Sequence, residues 1–219
     1  MNRTKIEWTD YSWNPITGCK HGCWYCYAKK LCQRFKKIFP YGFEPHFYPE
    51  RLKEPWELRK PSKIFVCSIA DLFASWTPAH WRIPILISIK NCPIKHTFQL
   101  LTKNPELIPP NRFPDNVWVE TTVTGVNDEA NIDAVRRVKA KVRFVSFEPL
   151  LDYIDFPEHD LEDIDWVIIG KLTGSKKVKL QNDWVIEIRE ECAFWDIPRF
   201  EKNNLGFPNP VQEFPEVQP

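Results

Sequence analysis

The chain has 219 residues, enough for one large domain with a sizeable core and short for two independent enzyme domains. Thirty basic against twenty-nine acidic residues leave a formal charge of +1, which excludes a molecule-wide field that gathers polyanions, so any nucleic-acid contact must be a local patch. No run reaches the length of a membrane span, and residues 1–10 carry no apolar stretch behind their basic residues, which predicts a cytoplasmic protein with no membrane partner.

In the cytosol thiols stay reduced, so the seven cysteines point to metal or redox chemistry and away from a disulfide framework. Ten tryptophans and fifteen phenylalanines are mostly expected in the core, with a few free to line a cleft and stack on a base or an adenine. The basic runs "KKLCQRFKKIF", "RRVKAKVR" and "GSKKVK" are local candidates for a polyanion contact, although solvated helix faces and turns have the same composition.

In chain order, "YSWNPIT" (11–17) predicts a first, weaker strand and residues 24–37 a first helix. "KIFVCSI" (63–69) is a compact run of β-branched and aromatic residues, as in a buried parallel strand. A second helix is expected from Thr77, with Pro78 in its first turn and a kink at Pro84. "HTFQLLT" (96–102) and "VWVETTV" (117–123) are the next strands. "NDEANIDAVRRVKAK" then predicts a helix capped by Asn127, with Asp128 and Glu129 in its first turn and an apolar stripe of Ile132, Val135 and Val138. "VRFVSFE" (142–148) and "WVIIG" (166–170) complete six strands, and a last helix opens at Asn182. Strand and helix alternating in this way predict an α/β fold. About 250 residues are typical of a full barrel, so a partial (β/α)6 TIM-like barrel over residues 1–205, with parallel strands and outer helices, fits better. Residues 206–219 read as a loose, proline-rich C-terminal tail.

The chemistry concentrates in "ITGCKHGCWYCYAKKL", where Cys19, Cys23 and Cys26 follow a C-x3-C-x2-C spacing between the first strand and the first helix. A structural zinc ion would need a fourth ligand, for which His21 and Cys32 are the nearby candidates. A redox pair of Cys23 and Cys26 leaves Cys19 without a role. A cubane iron–sulfur cluster held by three thiolates keeps one iron open for a substrate or cofactor, which accounts for the number three. Gly18 and Gly22 let the backbone turn tightly around such a cluster. Glu148 stands out as an ionisable group in an apolar strand, with Lys103 or Arg143 expected as its partner. Lys103, at a strand end, can itself meet a carboxylate or phosphate.

This spacing, with Tyr25 before the third cysteine, resembles the signature of the radical S-adenosylmethionine (SAM) enzymes. Together with "TKIEWTDYSWNPITGC", "CYA", "RKPSKIFVCSIADLF", "HTFQLLTKNPE", "VRFVSFEPLL" and "DWVIIG", it is similar to a phage- and microbe-associated radical SAM-like family of unassigned function. The resemblance implies a [4Fe–4S] cluster on Cys19, Cys23 and Cys26, and SAM as cofactor. It also implies reductive cleavage of SAM to a 5′-deoxyadenosyl radical, fed by an electron donor such as flavodoxin or ferredoxin. It brings Ser68 and Asp71 to the methionine ammonium, Glu120 and Thr122 to the SAM ribose or carboxylate, and Gly170 close to SAM or a substrate phosphate. The family's common Gly-Gly-Glu is absent, and a turn-capping role for Asp71 is the structural alternative. The named architecture most like it is that of DNA-photoproduct lyases, which inclines the substrate towards a nucleic-acid base or nucleotide. The competing expectation is a non-catalytic iron–sulfur or zinc-binding accessory protein that binds nucleic acid.

Overall fold

A computed structural model describes residues 1–156, 160–175 and 177–216. Lys176 of the "GSKKVK" run and residues 217–219 of the tail lie outside the described residues. The chain forms two compact units, Met1–Thr102 and Lys103–Pro219.

The first unit contains β1 (Asn2–Arg3), β2 (Tyr11–Trp13), β3 (Ile16–Thr17), α1 (Tyr27–Arg34), β4 (His46–Phe47), β5 (Lys63–Val66), α2 (Ala79–Lys90) and β6 (Thr97–Thr102). Strands β2, β5 and β6 are neighbours and parallel, pairing Trp13 with Val66 and Val66 with Leu100. One face carries Trp13, Ile64, Val66, Phe98 and Leu100, all buried, because alternate residues of a strand share a face. On the other face Trp8 covers Phe65 at 5.0 Å between ring centroids. Strands β3 and β4 make a separate antiparallel pair through Ile16–Phe47 and Thr17–His46, which ties the start of the cysteine loop to residues nearly thirty positions on.

Helix α1 is shorter than the expected 24–37, because residues 19–26 are used as a loop. Helix α2 begins at Ala79 with Pro84 inside it, and Thr77 does not cap it; the threonine hydroxyl donates to the Asp71 carbonyl at 2.8 Å.

The second unit contains β7 (Val117–Thr122), α3 (Ala130–Arg136), β8 (Val142–Leu150), β9 (Trp166–Lys171), α4 (Asn182–Phe194) and β10 (Arg199–Glu201). Its four strands run parallel in the order β7-β8-β9-β10. The fold is α/β with mostly parallel strands and flanking helices, as the alternation predicts, and β10 is a strand beyond the six expected. Helix α3 starts three residues after Asn127 and packs on β7 and β8 through buried Ile132 and Val135. Asp128 does not join its first turn; the carboxylate turns back to accept from the Thr124 N–H at 3.1 Å.

One end of the strands of the second unit is closed by rings. Trp118, Phe144 and Trp166 meet edge-on or tilted at 5.0–6.5 Å, and Phe200 joins them. The proline-rich tail, expected to be loose, is docked here over residues 206–216: Phe214 stacks on Trp166 at 5.2 Å, and the indole N–H of Trp166 donates to the Glu213 carbonyl. The reason is aromatic burial at a site the sheet leaves open.

Glu201 on β10 is fully buried and accepts two bonds from Arg189 of α4, at 2.8 and 2.6 Å, and one from Arg199 at 3.0 Å. Burial alone would raise its pKa, but the guanidinium bonds outweigh burial and hold it below its ordinary 4.5. A carboxyl with a depressed folded-state pKa stabilises fully above the unfolded value and loses that contribution as pH falls through the folded one. Glu201→Gln should therefore cost about 3 kcal/mol at pH 7, the scale of breaking a buried ion pair. Denaturant unfolding as a function of pH should show the deficit shrinking below the ordinary 4.5. A deficit constant down to strong acid would contradict this assignment.

Candidate cluster loop and buried polar groups

The cysteine loop leaves β3 at Gly18, whose φ of +87° is a left-handed conformation that side chains with a Cβ rarely adopt. A Cβ there would also lie 2.2 Å from the Glu44 carbonyl oxygen. The loop is pinned at this point by backbone bonds from Gly18 N–H to the Ile69 carbonyl and from Cys19 N–H to the Phe43 carbonyl, both 3.1 Å. Gly22 turns the chain again at φ +72°, with open space around the position of a Cβ. The Cys26 N–H then donates to the Cys23 carbonyl, and Cys26 becomes the N-cap of α1, its sulfur accepting from the Lys29 N–H at 3.4 Å.

The result is a concave pocket of about 280 Å³ lined by Cys19, Cys23 and Cys26 together with His21, Phe43 and Lys29. Burial, chiefly, pushes the Cys19 thiol up to about 12. Among the described residues no group of three His, Cys, Asp or Glu side chains is gathered as a single metal ion requires; a cubane takes one thiolate per iron and so calls for a wider ring of donors. Three cysteines lining one pocket, on a loop with two left-handed turns, fit such a cluster.

The two nearby candidates for a fourth ligand have other roles. Cys32 is fully buried in a small core with Ala28, Phe39 and Ile69. His21 Nε2 bonds Asp71 Oδ2 at 2.8 Å, and the ring meets Trp76 edge-on at 4.7 Å. Asp71 in turn accepts from the Thr102 hydroxyl at 2.7 Å and the Phe73 N–H at 3.0 Å, the last being the turn-capping bond of the structural alternative. Asp71 is thus a buried anchor that fastens the middle of the cysteine loop to the end of β6.

Ser68 donates to the Asn14 side chain at 3.2 Å, and its carbonyl accepts the Tyr27 hydroxyl at 2.7 Å, which ties the loop after β5 to α1. Tyr25 stands edge-on to Trp24 at 5.5 Å. Cys67, between β5 and Ser68, is buried with φ +58°, and burial pushes its thiol up to about 12.

The remaining predicted residues belong to the second unit. Glu120 and Thr122 share a face of β7 and are buried, with Ser146 opposite Thr122 in register. Among the described residues neither carboxylate oxygen of Glu120 makes a hydrogen bond of ordinary geometry, although the Ser146 side chain is close enough to favour its charged form. Burial above all raises its pKa well above the usual carboxylate range, with Glu148 adding to the effect and Ser146, Lys103 and Lys202 opposing it. Glu148 is paired, and Arg143, one of its two expected partners, is engaged elsewhere. Lys202, just after β10, makes a close ion pair with it, while Arg143 bonds Asp165 at 3.1 Å. Gly170 lies against the side chains of this Glu148–Lys202 pair. Lys202 escaped notice because β10 is short and charged and gives no apolar signal. His21, Thr102 and Asn14 act through contacts whose partners lie thirty or more positions away in sequence.

The sequence model of the family described as "Protein of unknown function (DUF5131)" matches residues 3–210. No curated protein matches the chain in sequence. Two solved structures are similar to it. Spore photoproduct lyase complexed with dinucleoside spore photoproduct has a TM-score of 0.59 at 12% identity, over 91% of this chain and 78% of that one. A cysteine-to-alanine mutant of spore photoproduct lyase with the same dinucleoside has a TM-score of 0.61 at the same identity and coverage. At this identity the likeness is one of fold.

Gly18→Ala should lower stability by at least about 2 kcal/mol, because it combines left-handed strain with overlap against backbone. Gly22→Ala, equally left-handed but unobstructed, should cost only about 1 kcal/mol. Denaturant titration of the two variants side by side is the measurement, and equal losses would contradict the close approach at Gly18.

Proposed function

The chain belongs to the DUF5131 family, and we propose that it is a radical SAM enzyme holding a [4Fe–4S] cluster on Cys19, Cys23 and Cys26 and acting on a nucleic-acid base or nucleotide. The observation that carries the reading is the pocket lined by three cysteines, with Cys32 committed to the core and His21 to Asp71. The likeness in fold to spore photoproduct lyase supports it. When bound, the cluster supplies the electron that cleaves SAM to methionine and a 5′-deoxyadenosyl radical.

The protein's part is placement. The left-handed turns at Gly18 and Gly22 bring three thiols to one pocket, and the His21–Asp71–Thr102 chain of bonds holds the loop between the first two. In the second unit, Glu120 is the group with most to gain from a ligand. A fully buried carboxyl whose oxygens make no hydrogen bond of ordinary geometry among the described residues is costly, and hydroxyl or amino donors from SAM or substrate would satisfy it. Thr122, two residues on along β7, and Gly170 on β9 complete this second set of candidate contacts.

Anaerobic reconstitution should give a brown protein with about four irons per chain. With SAM and a strong reductant it should release 5′-deoxyadenosine, and Cys23→Ala should lose both the iron and the release. An intact cluster that never cleaves SAM, or zinc in place of iron, would overturn the enzymatic reading in favour of an accessory protein.

A further inference from the structure

Helix α1 and the turns on either side of it carry a concentration of charge that the overall balance hides. Residues 20–43 contain six lysine and arginine side chains and no aspartate or glutamate, a charge of +6 that leaves the rest of the chain at −5. Lys20, Lys29, Lys30, Arg34, Lys36 and Lys37 are all exposed. The same segment exposes rings that would ordinarily be buried: Trp24 is 47% exposed, Tyr27 56%, Phe35 43% and Tyr41 54%.

These side chains are presented by a folded module. Ala28, Cys32 and Phe39 are buried with Ile69, which fixes the inner side of α1. Tyr27, Lys30 and Arg34 therefore fall in one stripe on its outer side, spaced by one helical turn and then another. The Tyr27 hydroxyl is anchored on the Ser68 carbonyl, and the Tyr41 ring stacks on His46 at 3.7 Å, so both rings are held in place. Lys20 and Lys29 also line the cysteine pocket together with Glu44, whose exposed carboxylate lies 3.8 Å from Lys20, which makes the charged face continuous with the candidate site.

We infer that this face binds single-stranded nucleic acid, its cations following the phosphates and its exposed rings stacking on unpaired bases. The inference deepens the proposed function and rests on it for its biological sense, since it names the surface that would bring such a substrate to the cysteine pocket. Charge complementarity selects a polyanion. The rings select unpaired bases, because a duplex keeps its base faces stacked against one another. An anionic membrane would satisfy the cations, but it needs a broader apolar face than Phe35 and Ile38 provide.

The test is fluorescence anisotropy of labelled 20-nucleotide single strands, DNA in one arm and RNA in the other, with the cluster-loaded full chain. Log affinity should fall with log salt at a slope of about 4, as six phosphate contacts on a single strand imply. Lys30→Glu/Arg34→Glu/Lys37→Glu should weaken binding about 100-fold at low salt and reduce the slope to about 2. Phe35→Ala should weaken it about tenfold with the slope unchanged. These are surface positions, and circular dichroism and melting of each variant should match the wild type. Binding in either arm, with these two separable losses, supports the inference, and the preferred arm identifies the nucleic acid. It is overturned by absence of wild-type binding at low salt, by a triple variant that binds as tightly as wild type, or by binding to anionic vesicles in preference to both strands. Release of 5′-deoxyadenosine is measured on the same preparation. A chain that binds strands without cleaving SAM sinks the enzymatic reading alone, and one that cleaves SAM without binding strands sinks this inference alone.

Discussion

The backbone of Gly18 lies so close to the carbonyl of Glu44 that no side chain fits between them, and the rest of the candidate site depends on that contact. There the chain leaving β3 makes a left-handed turn and is bonded to the Phe43 and Ile69 carbonyls, and the three cysteines that follow line one pocket. From there Cys26 opens α1 as its cap, and α1 buries Cys32 against Phe39 and Ile69. Local backbone geometry thereby decides which thiols face the pocket and which one joins the core.

The parallel strands were legible because buried strands must be apolar, and the runs at 63–66, 97–102, 117–122, 142–150 and 166–171 all carry that pattern. Strand β10 was not legible, since Arg-Phe-Glu reads as a polar loop until Arg189 of α4 is placed beside Glu201. The partner of Glu148 went unseen for the same reason: Lys202 follows an element whose existence depends on pairing with β9. The docking of the tail likewise required Phe214 to find Trp166, a contact between residues with nothing in common in sequence.

At the site itself, the three cysteines and the two glycines were legible because their spacing and conformational demands are local. The bonds that join Asp71 to His21 and Thr102 were not, since these lie 50 and 31 positions away from it, whereas its turn-capping bond to the Phe73 N–H is local and was. Two features gain meaning only together with the fold. A chain of nearly zero net charge proves unevenly divided, with six cations and no aspartate or glutamate over residues 20–43. The acidic residues on the strands of the second unit prove unequal: Glu148 is neutralised by Lys202 and Glu201 by two arginines, while Glu120 has no ion-pair partner among the described residues.

The central claim is that this polypeptide furnishes three thiolates to a four-iron centre and leaves one metal corner for a small molecule. Mössbauer spectroscopy of protein reconstituted with iron-57, recorded with and without SAM, tests it most directly. The account predicts one iron distinct from its three neighbours, whose signal moves when SAM is added. Equivalent irons indifferent to SAM would contradict it.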